Sequence, residues 1–311
     1  MSSTSQWPTF IIAGAGRSGK IALCHHLCQH PEIFITQPPE PNFFCFVNEK
    51  IDFKSPDKLF YQRIITNVDE YNKLFTNGEG LTEKGEASGS YLKYADKSIS
   101  TISDIVPDYK KVKILITLRN PVDRAFSSYS QYVMHGFEQL SFLDAISEKT
   151  IQQRLSCGWS PNYDYLGGGL YSESVKKYLD SFPNTKIIIS EEMKAETYST
   201  LKDCFCFLGV NENFKPTIRT KINVSGGRKN FYLHQMLYNE NNFLRKIARS
   251  SLKYILPENK RMKLKDGLRK FNLARVDVNP EIRNRLIDFY SKDILKLEKI
   301  INHDLSSWLS S

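Results

Sequence analysis

Three short apolar runs punctuate a chain that is otherwise patterned for helices. Thr9 to Ala13 (TFIIA) is apolar on both faces of an extended backbone, which predicts a buried parallel strand. Gly14 to Lys20 (GAGRSGK) follows as a glycine-rich turn, and Ile21, Leu23, Cys24, Leu27 and Cys28 then recur at helical spacing. Val112, Ile114, Leu115, Ile116 and Leu118 predict a central parallel strand, after which Asn120 is suited to cap a helix and Pro121 to open it. Lys186 to Ser190 (KIIIS) predicts a further buried strand. Glu191 and Glu192 after it suit the first turn of a helix better than acid–base work. Helical character is also read over Asp57 to Val68, over Leu140 to Ser156, in a helix ending near Phe182-Pro183 and over Leu201 to Val210, with a turn at Thr76 to Gly80. The last third leaves this alternation. Residues 219–232 (RTKINVSGGRKNFY) read as a basic, glycine-containing loop. Asn279-Pro280-Glu281 opens a long helix whose Ile282, Leu286, Phe289, Ile294, Leu297 and Ile301 form a packing stripe.

The pattern predicts an α/β fold: a P-loop-like parallel sheet flanked by helices, with a helical C-terminal layer. No repeat, low-complexity tract or linker divides residues 1–311, so one domain is expected. The strand, glycine-rich turn and helix at the N-terminus form a phosphate site for physical reasons. Glycines let backbone N–H groups approach an anion, and the helix start adds unpaired donors and a positive dipole end. The candidate phosphate contacts are therefore Gly16, Arg17, Ser18, Gly19, Lys20, Ile21 and Ala22, with Arg17 and Lys20 adding charge. The stretch GAGRSGKI falls one residue short of GxxxxGK[ST]: Ile21 stands where a hydroxyl would hold magnesium, and Arg119 rather than an acid closes the strand 112–118. Both points argue against a kinase or ATPase. Arg119 lies just past that strand's carboxyl end, where ligands bind in open α/β sheets. Ser127 follows two helical turns on, and a guanidinium fork with a hydroxyl suits a terminal phosphate. Arg124 fits a structural salt bridge as well as a ligand contact.

Composition narrows the partners. With 41% hydrophobic and 25% charged residues the chain can bury a substantial core, and a net charge of +9 favours anions: a nucleotide, an acidic glycan or nucleic acid. No RNP, zinc-finger or helix-turn-helix signature supports nucleic acid. The six cysteines include no C-x-x-C pair. Cys24 and Cys28 share an apolar helix face and read as small buried hydrophobes, and Cys204 and Cys206 read as packing rather than a metal clip. No metal site is read. Reduced thiols fit a cytoplasmic enzyme, and neither a signal peptide in MSSTSQWPTF nor an apolar run of membrane-spanning length is present.

With its flanks, the N-terminal stretch resembles the sulfotransferases that use 3′-phosphoadenosine 5′-phosphosulfate, whose 5′ loop G-x-x-K-[SG]-G-T-T-x-L is followed by H-P-x-I and K-E-P-x-F-F. Gly14, Ser18, Gly19, Leu23, His30, Pro31, Ile33, Glu40, Pro41, Phe43 and Phe44 fit; Arg17, Lys20, Ile21 and Pro39 depart. Gly85-Glu86-Ala87-Ser88-Gly89-Ser90-Tyr91 resembles the family's G-E-x-[ST]-P-x-Y with Gly89 for proline, and Gly169 and Tyr171 fit R-G-x-Y with Gly168 in the arginine's place. The resemblance is most specific over 10–44 and 112–132 and divides the chain into a 5′-phosphosulfate loop (14–23), a 3′-phosphate element (112–132) and a late basic loop (219–232). It implies that Arg119 and Ser127 hold the 3′-phosphate and that Arg228 and Lys229, with Asn223, close over the nucleotide. It also implies a catalytic set of Glu40 as general base with Arg17 and Lys20, no metal, and a glycan or hydroxylated small-molecule acceptor. The positive charge favours an acceptor with anionic groups. A non-catalytic nucleotide- or glycan-binding relative is the other reading of the same residues.

Overall fold

The computed structural model describes residues 7–38, 40–218, 227–228, 267, 273–274 and 278–310. Its centre is a sheet of five parallel strands, β1 (Phe10–Ile12), β2 (Ile33–Ile35), β3 (Glu83–Ala87), β4 (Lys113–Leu118) and β5 (Thr185–Ile189), in the order β2-β3-β1-β4-β5. β1 pairs with β3 (Phe10 opposite Gly85) and with β4 (Phe10 opposite Lys113). Alternate residues of each strand feed two cores. Phe10, Ile12 and Leu115 pack with Leu23 and Leu27 of the helix Lys20–Leu27 and with Leu201, Phe205 and Leu208 of the helix Thr197–Leu208. Ile11, Ile114, Ile116 and Leu118 face the other way, toward the helices Ala95–Ile105, Pro121–His135, Ser172–Ser181 and Pro280–Ile301. The fold is the parallel sheet flanked by helices that the apolar runs predict.

Several elements depart from the sequence pattern. β3 (EKGEA) is buried along its whole length despite three charged residues, because each finds a partner. Glu83 takes Thr9 Oγ1 at 2.7 Å and Lys113 Nζ at 2.8 Å, and Glu86 is enclosed by hydroxyl donors. β5 is an edge strand, so Thr185, Lys186 and Ile187 are only half-buried rather than buried as expected. The stretch read as one helix over Leu140 to Ser156 is two, Phe142–Ala145 and Glu148–Ser156, since Ser147 caps the second through Thr150 N. Over Asp57 to Val68 only Lys58–Tyr61 is helical, and the next helix, Val68–Lys73, starts where Asn67 accepts from Asp69 N and Glu70 N. All six cysteines are free thiols, but Cys28 and Cys206 are exposed while Cys24 and Cys204 are buried, so only the latter two are core hydrophobes. Among the described residues no helix is long and apolar enough to cross a membrane.

The C-terminal helix begins where expected, with Asn279 Oδ1 accepting from Glu281 N at 2.8 Å. Leu286, Tyr290, Ile294 and Leu297 bury its inner face, whereas Phe289 is exposed. Its Asp293 accepts from Tyr171 N at 2.7 Å and Ser172 N at 3.3 Å, which satisfies amides at the start of the helix Ser172–Ser181. Of the late basic loop, the backbone of Gly227–Arg228 forms a short strand, β6, antiparallel to β7 (Leu273–Ala274). Asn223 and Lys229 lie outside the described residues, as does the side chain of Arg228.

Candidate active site

The phosphate loop leaves β1 at Gly14, whose φ of +140° is open to glycine and where a Cβ would lie 2.7 Å from Leu92 Cβ. Two left-handed residues, Arg17 (φ 72°) and Gly19 (φ 86°), then turn the chain into the helix Lys20–Leu27. Among the described residues no side chain caps that helix, which leaves its first-turn amides as donors at the loop. Gly16, Arg17, Gly19, Lys20, Ile21 and Ala22 line a cleft of about 1110 Å³, while Ser18 is fully buried and outside the lining. Ile21, where a magnesium-binding hydroxyl would be needed, presents its apolar side chain to this cleft and is 45% exposed.

Lys20 is nearly buried; its Nζ donates to Ala87 O at 2.8 Å and ion-pairs with the Glu40 carboxylate, which is half open to solvent. Arg17 Nε donates to Ser127 Oγ at 3.1 Å, and Arg119 Nη1 donates to the carbonyl of Arg17 at 3.3 Å. Burial pushes the Arg17 guanidinium down to about 10; Arg119 lowers it further, Glu40 raises it and Arg124 lowers it. It stays charged at neutral pH. Ser127 is carried by the helix Pro121–His135, fixed at its start by Asn120 Oδ1, which accepts from Val122 N at 3.0 Å and Asp123 N at 3.3 Å. Among the described residues, Arg119 Nε and Arg124 Nε are buried without a hydrogen-bond partner. Thus Arg17, Lys20, Glu40, Arg119 and Ser127, drawn from three separate stretches of sequence, meet at one end of the sheet.

Arg124 makes no salt bridge among the described residues; its Nη2 donates to the Tyr165 carbonyl. Gly168 lies against it, and a Cβ there would come 2.9 Å from Arg124 Nη1. The departure from R-G-x-Y at Gly168 therefore coincides with an arginine delivered from the opposite element. Glu191 and Glu192 occupy the first turn of the helix Ser190–Ala195, and Glu191 Oε1 accepts from Asn120 N at 3.2 Å, a structural role. The cleft is also lined by Tyr61, Arg63, Lys93, Asn162, Asp164 and Leu170.

Two functional candidates escape the sequence pattern. Lys93 Nζ donates to Pro161 O, and burial pushes its amine down to about 8, with Asp164 opposing and Arg124 assisting. Glu86, fully buried behind the phosphate loop, is pushed up to about 7 by burial. Its only sequence signal is the Gly-Glu pair of the third motif. Among the described residues no group of three His, Cys, Asp or Glu side chains converges as a metal site.

The family model for the sulfotransferase domain matches residues 99–263, just over half of the chain. The chain belongs to the sulfotransferase family. It is 26% identical over 223 residues to the bifunctional heparan sulfate N-deacetylase/N-sulfotransferase 3 of Mus musculus, covering 67% of this chain and 23% of that protein. The Homo sapiens bifunctional heparan sulfate N-deacetylase/N-sulfotransferase 2 is 27% identical over 226 residues, with 68% and 23% covered. The sulfotransferase thus spans about a quarter of the length of these relatives. The crystal structure of a sulfotransferase from Alicyclobacillus acidocaldarius superposes with a TM-score of 0.73 at 29% identity, covering 98% of this chain and 99% of that one. This sulfotransferase is accordingly a transferase that moves sulfuryl groups. That conclusion displaces the kinase or ATPase reading and the purely binding one.

Proposed function

We propose that the enzyme transfers the sulfuryl group of 3′-phosphoadenosine 5′-phosphosulfate to a hydroxyl of a carbohydrate or carbohydrate-bearing small molecule, within a single domain spanning residues 1–311. The observation that carries this reading is the Lys20–Glu40 pair at the mouth of the phosphate loop, with Arg17, Ser127 and Arg119 beside it. The loop amides and Lys20 take the 5′-phosphosulfate, and Arg119 with Ser127 takes the 3′-phosphate. Glu40 accepts the acceptor's proton as its oxygen bonds to sulfur. The bond from sulfur to the bridging phosphate oxygen breaks, and 3′-phosphoadenosine 5′-phosphate leaves. Lys20, Arg17 and the helix start stabilise charge on the departing phosphate. Lys93, Arg63 and Asn162, which line the same cleft, face the acceptor, where two cations suit anionic groups. Free thiols support a reducing, cytoplasmic setting.

The names of the heparan sulfate N-sulfotransferases favour a second acceptor chemistry, an amino group on a glycan. Labelled donor offered to a panel of glycans with free hydroxyls, with free amines and with neither separates the two. Product nucleotide should bind at or below millimolar concentration, and absence of such binding would overturn the donor assignment. Glu40→Gln should retain nucleotide binding and lose about 10²- to 10⁴-fold in turnover, as for loss of a general base.

A further inference from the structure

Glu40 lies in a stretch with neither strand nor helix, between β2 and the short helix Phe43–Phe46, and its side chain is half exposed. A base in such a stretch needs its backbone held. Asn42, a left-handed residue (φ 51°), supplies the hold: its Nδ2 donates to the carbonyl of Glu40 at 3.1 Å and its Oδ1 accepts from Ser90 Oγ at 2.7 Å. The backbone N–H of Asn42 donates to Ser88 Oγ at 2.9 Å, and that of Phe44 donates to Tyr91 OH at 3.3 Å. Both hydroxyls in turn spend their single proton on one group, since Ser88 Oγ donates to Glu86 Oε2 at 2.8 Å and Tyr91 OH donates to Glu86 Oε1. Tyr71 OH adds a longer contact of 3.4 Å to Oε1.

A hydroxyl rotates to suit its neighbours, and it aims a lone pair at an amide when its proton points elsewhere. Once ionised, a step that burial delays to about 7, the Glu86 carboxylate is acceptor-only and takes both protons at once. It thereby holds Ser88 and Tyr91 oriented with lone pairs toward the two amides that bracket the end of the Glu40 segment. The residue after Ser88's neighbour Glu86, Ala87, gives its carbonyl to Lys20 Nζ, so the same strand end also holds the other half of the Lys20–Glu40 pair.

We propose that Glu86 is a positioning residue for the transfer reaction: through Ser88 and Tyr91 it sets the backbone of residues 40–44 and so the place of Glu40, without touching donor or acceptor. Its relevance to turnover rests on the proposed role of Glu40. Fully buried charge is costly, and a carboxylate enclosed by three hydroxyls at this spot needs an explanation that packing alone does not give.

Hydrogen–deuterium exchange of the full chain, read on peptides covering 40–46 and on β4 as a control, tests the tether without any substrate. Ser88→Ala and Glu86→Gln should each speed exchange in 40–46 by about tenfold or more and leave β4 unchanged; unchanged exchange in 40–46 in both variants overturns the proposal. Turnover is then followed with labelled donor and a heparosan oligosaccharide, and nucleotide affinity with 3′-phosphoadenosine 5′-phosphate. Ser88→Ala should lower kcat by about 10- to 100-fold, the scale of a misplaced catalytic group, with nucleotide Kd unchanged. Added to Glu40→Gln it should cost nothing more. An equal further loss in that background overturns positioning through Glu40. Faster exchange in 40–46 together with full turnover in Glu40→Gln leaves the tether standing and overturns Glu40 as the base.

Discussion

Arg119 and Ser127 sit close to Arg17, so this end of the cleft concentrates guanidinium charge beside a hydroxyl. If this end holds the 3′-phosphate, Arg119→Ala should weaken binding of 3′-phosphoadenosine 5′-phosphate about 10- to 100-fold, the value of a truncated charged hydrogen bond. It should leave adenosine 5′-phosphate nearly unaffected; titration calorimetry with the two nucleotides reads the ratio directly. Lys93 lines the same cleft, and on the acceptor role proposed for it Lys93→Met should raise the acceptor KM without changing nucleotide Kd. Glu86 carries a stability consequence as well. Buried, with Tyr91, Ser88, Lys20 and Tyr71 favouring its charged form, it still stands near 7 against an ordinary 4.5. Cys24, Cys45 and Tyr178 also feel its charge. The folded state thus keeps a proton that the unfolded chain has released between those values. Stability should fall as pH rises through about 4.5 to 7, by an amount on the order of 3 kcal/mol, and stay at the lower level above it. Urea unfolding at pH 5 and pH 8 should show that loss in the wild type and a flatter profile in Glu86→Gln.

At the scale of elements, β1 and β4 were legible because both of their faces are apolar, and the turn after β1 because its glycines and cations make sense only around an anion. β3 was not legible. Its sequence mixes three charged residues with two small ones, and its burial depends on Thr9, Lys113, Tyr71 and Tyr91, which no local pattern reveals. The same holds for Arg124, whose carbonyl partner and neighbour Gly168 come from a distant loop. β2 is as short as β1 but lacks the glycine-rich turn that marks β1, and β5 reads as more buried than an edge strand can be. Gly85 shows how tightly β3 is fitted: any Cβ there would overlap the ring of Phe10 on β1. Gly85→Ala should cost about 1–3 kcal/mol as an overpacking change, measurable by chemical denaturation, and should loosen the strand that carries Glu86.

Across the whole molecule, a net charge of +9 and a cleft whose loop and walls carry several cations predict that nucleotide affinity falls as salt rises. Titrations between low and physiological ionic strength should show it, and a salt-independent Kd would mean that the cations are not at the ligand. The strand order has a different kind of consequence. β1 lies at the heart of the sheet, yet Phe10 finds its two neighbours only at Gly85 and Lys113. On a ribosome, β1 and the loop after it emerge before β3 and β4, and wait for the first partner until β3 has been made and for the second until β4. Little local structure can reward the chain in the meantime, because parallel pairing demands that long loops close first. Refolding from denaturant should accordingly fall toward the slow, millisecond-to-second range or beyond, and a nascent chain stopped before β4 should remain sensitive to protease at β1 and the loop. The candidate phosphate loop is thus made before either strand that flanks β1, and its strand is fully paired only after β4 is made.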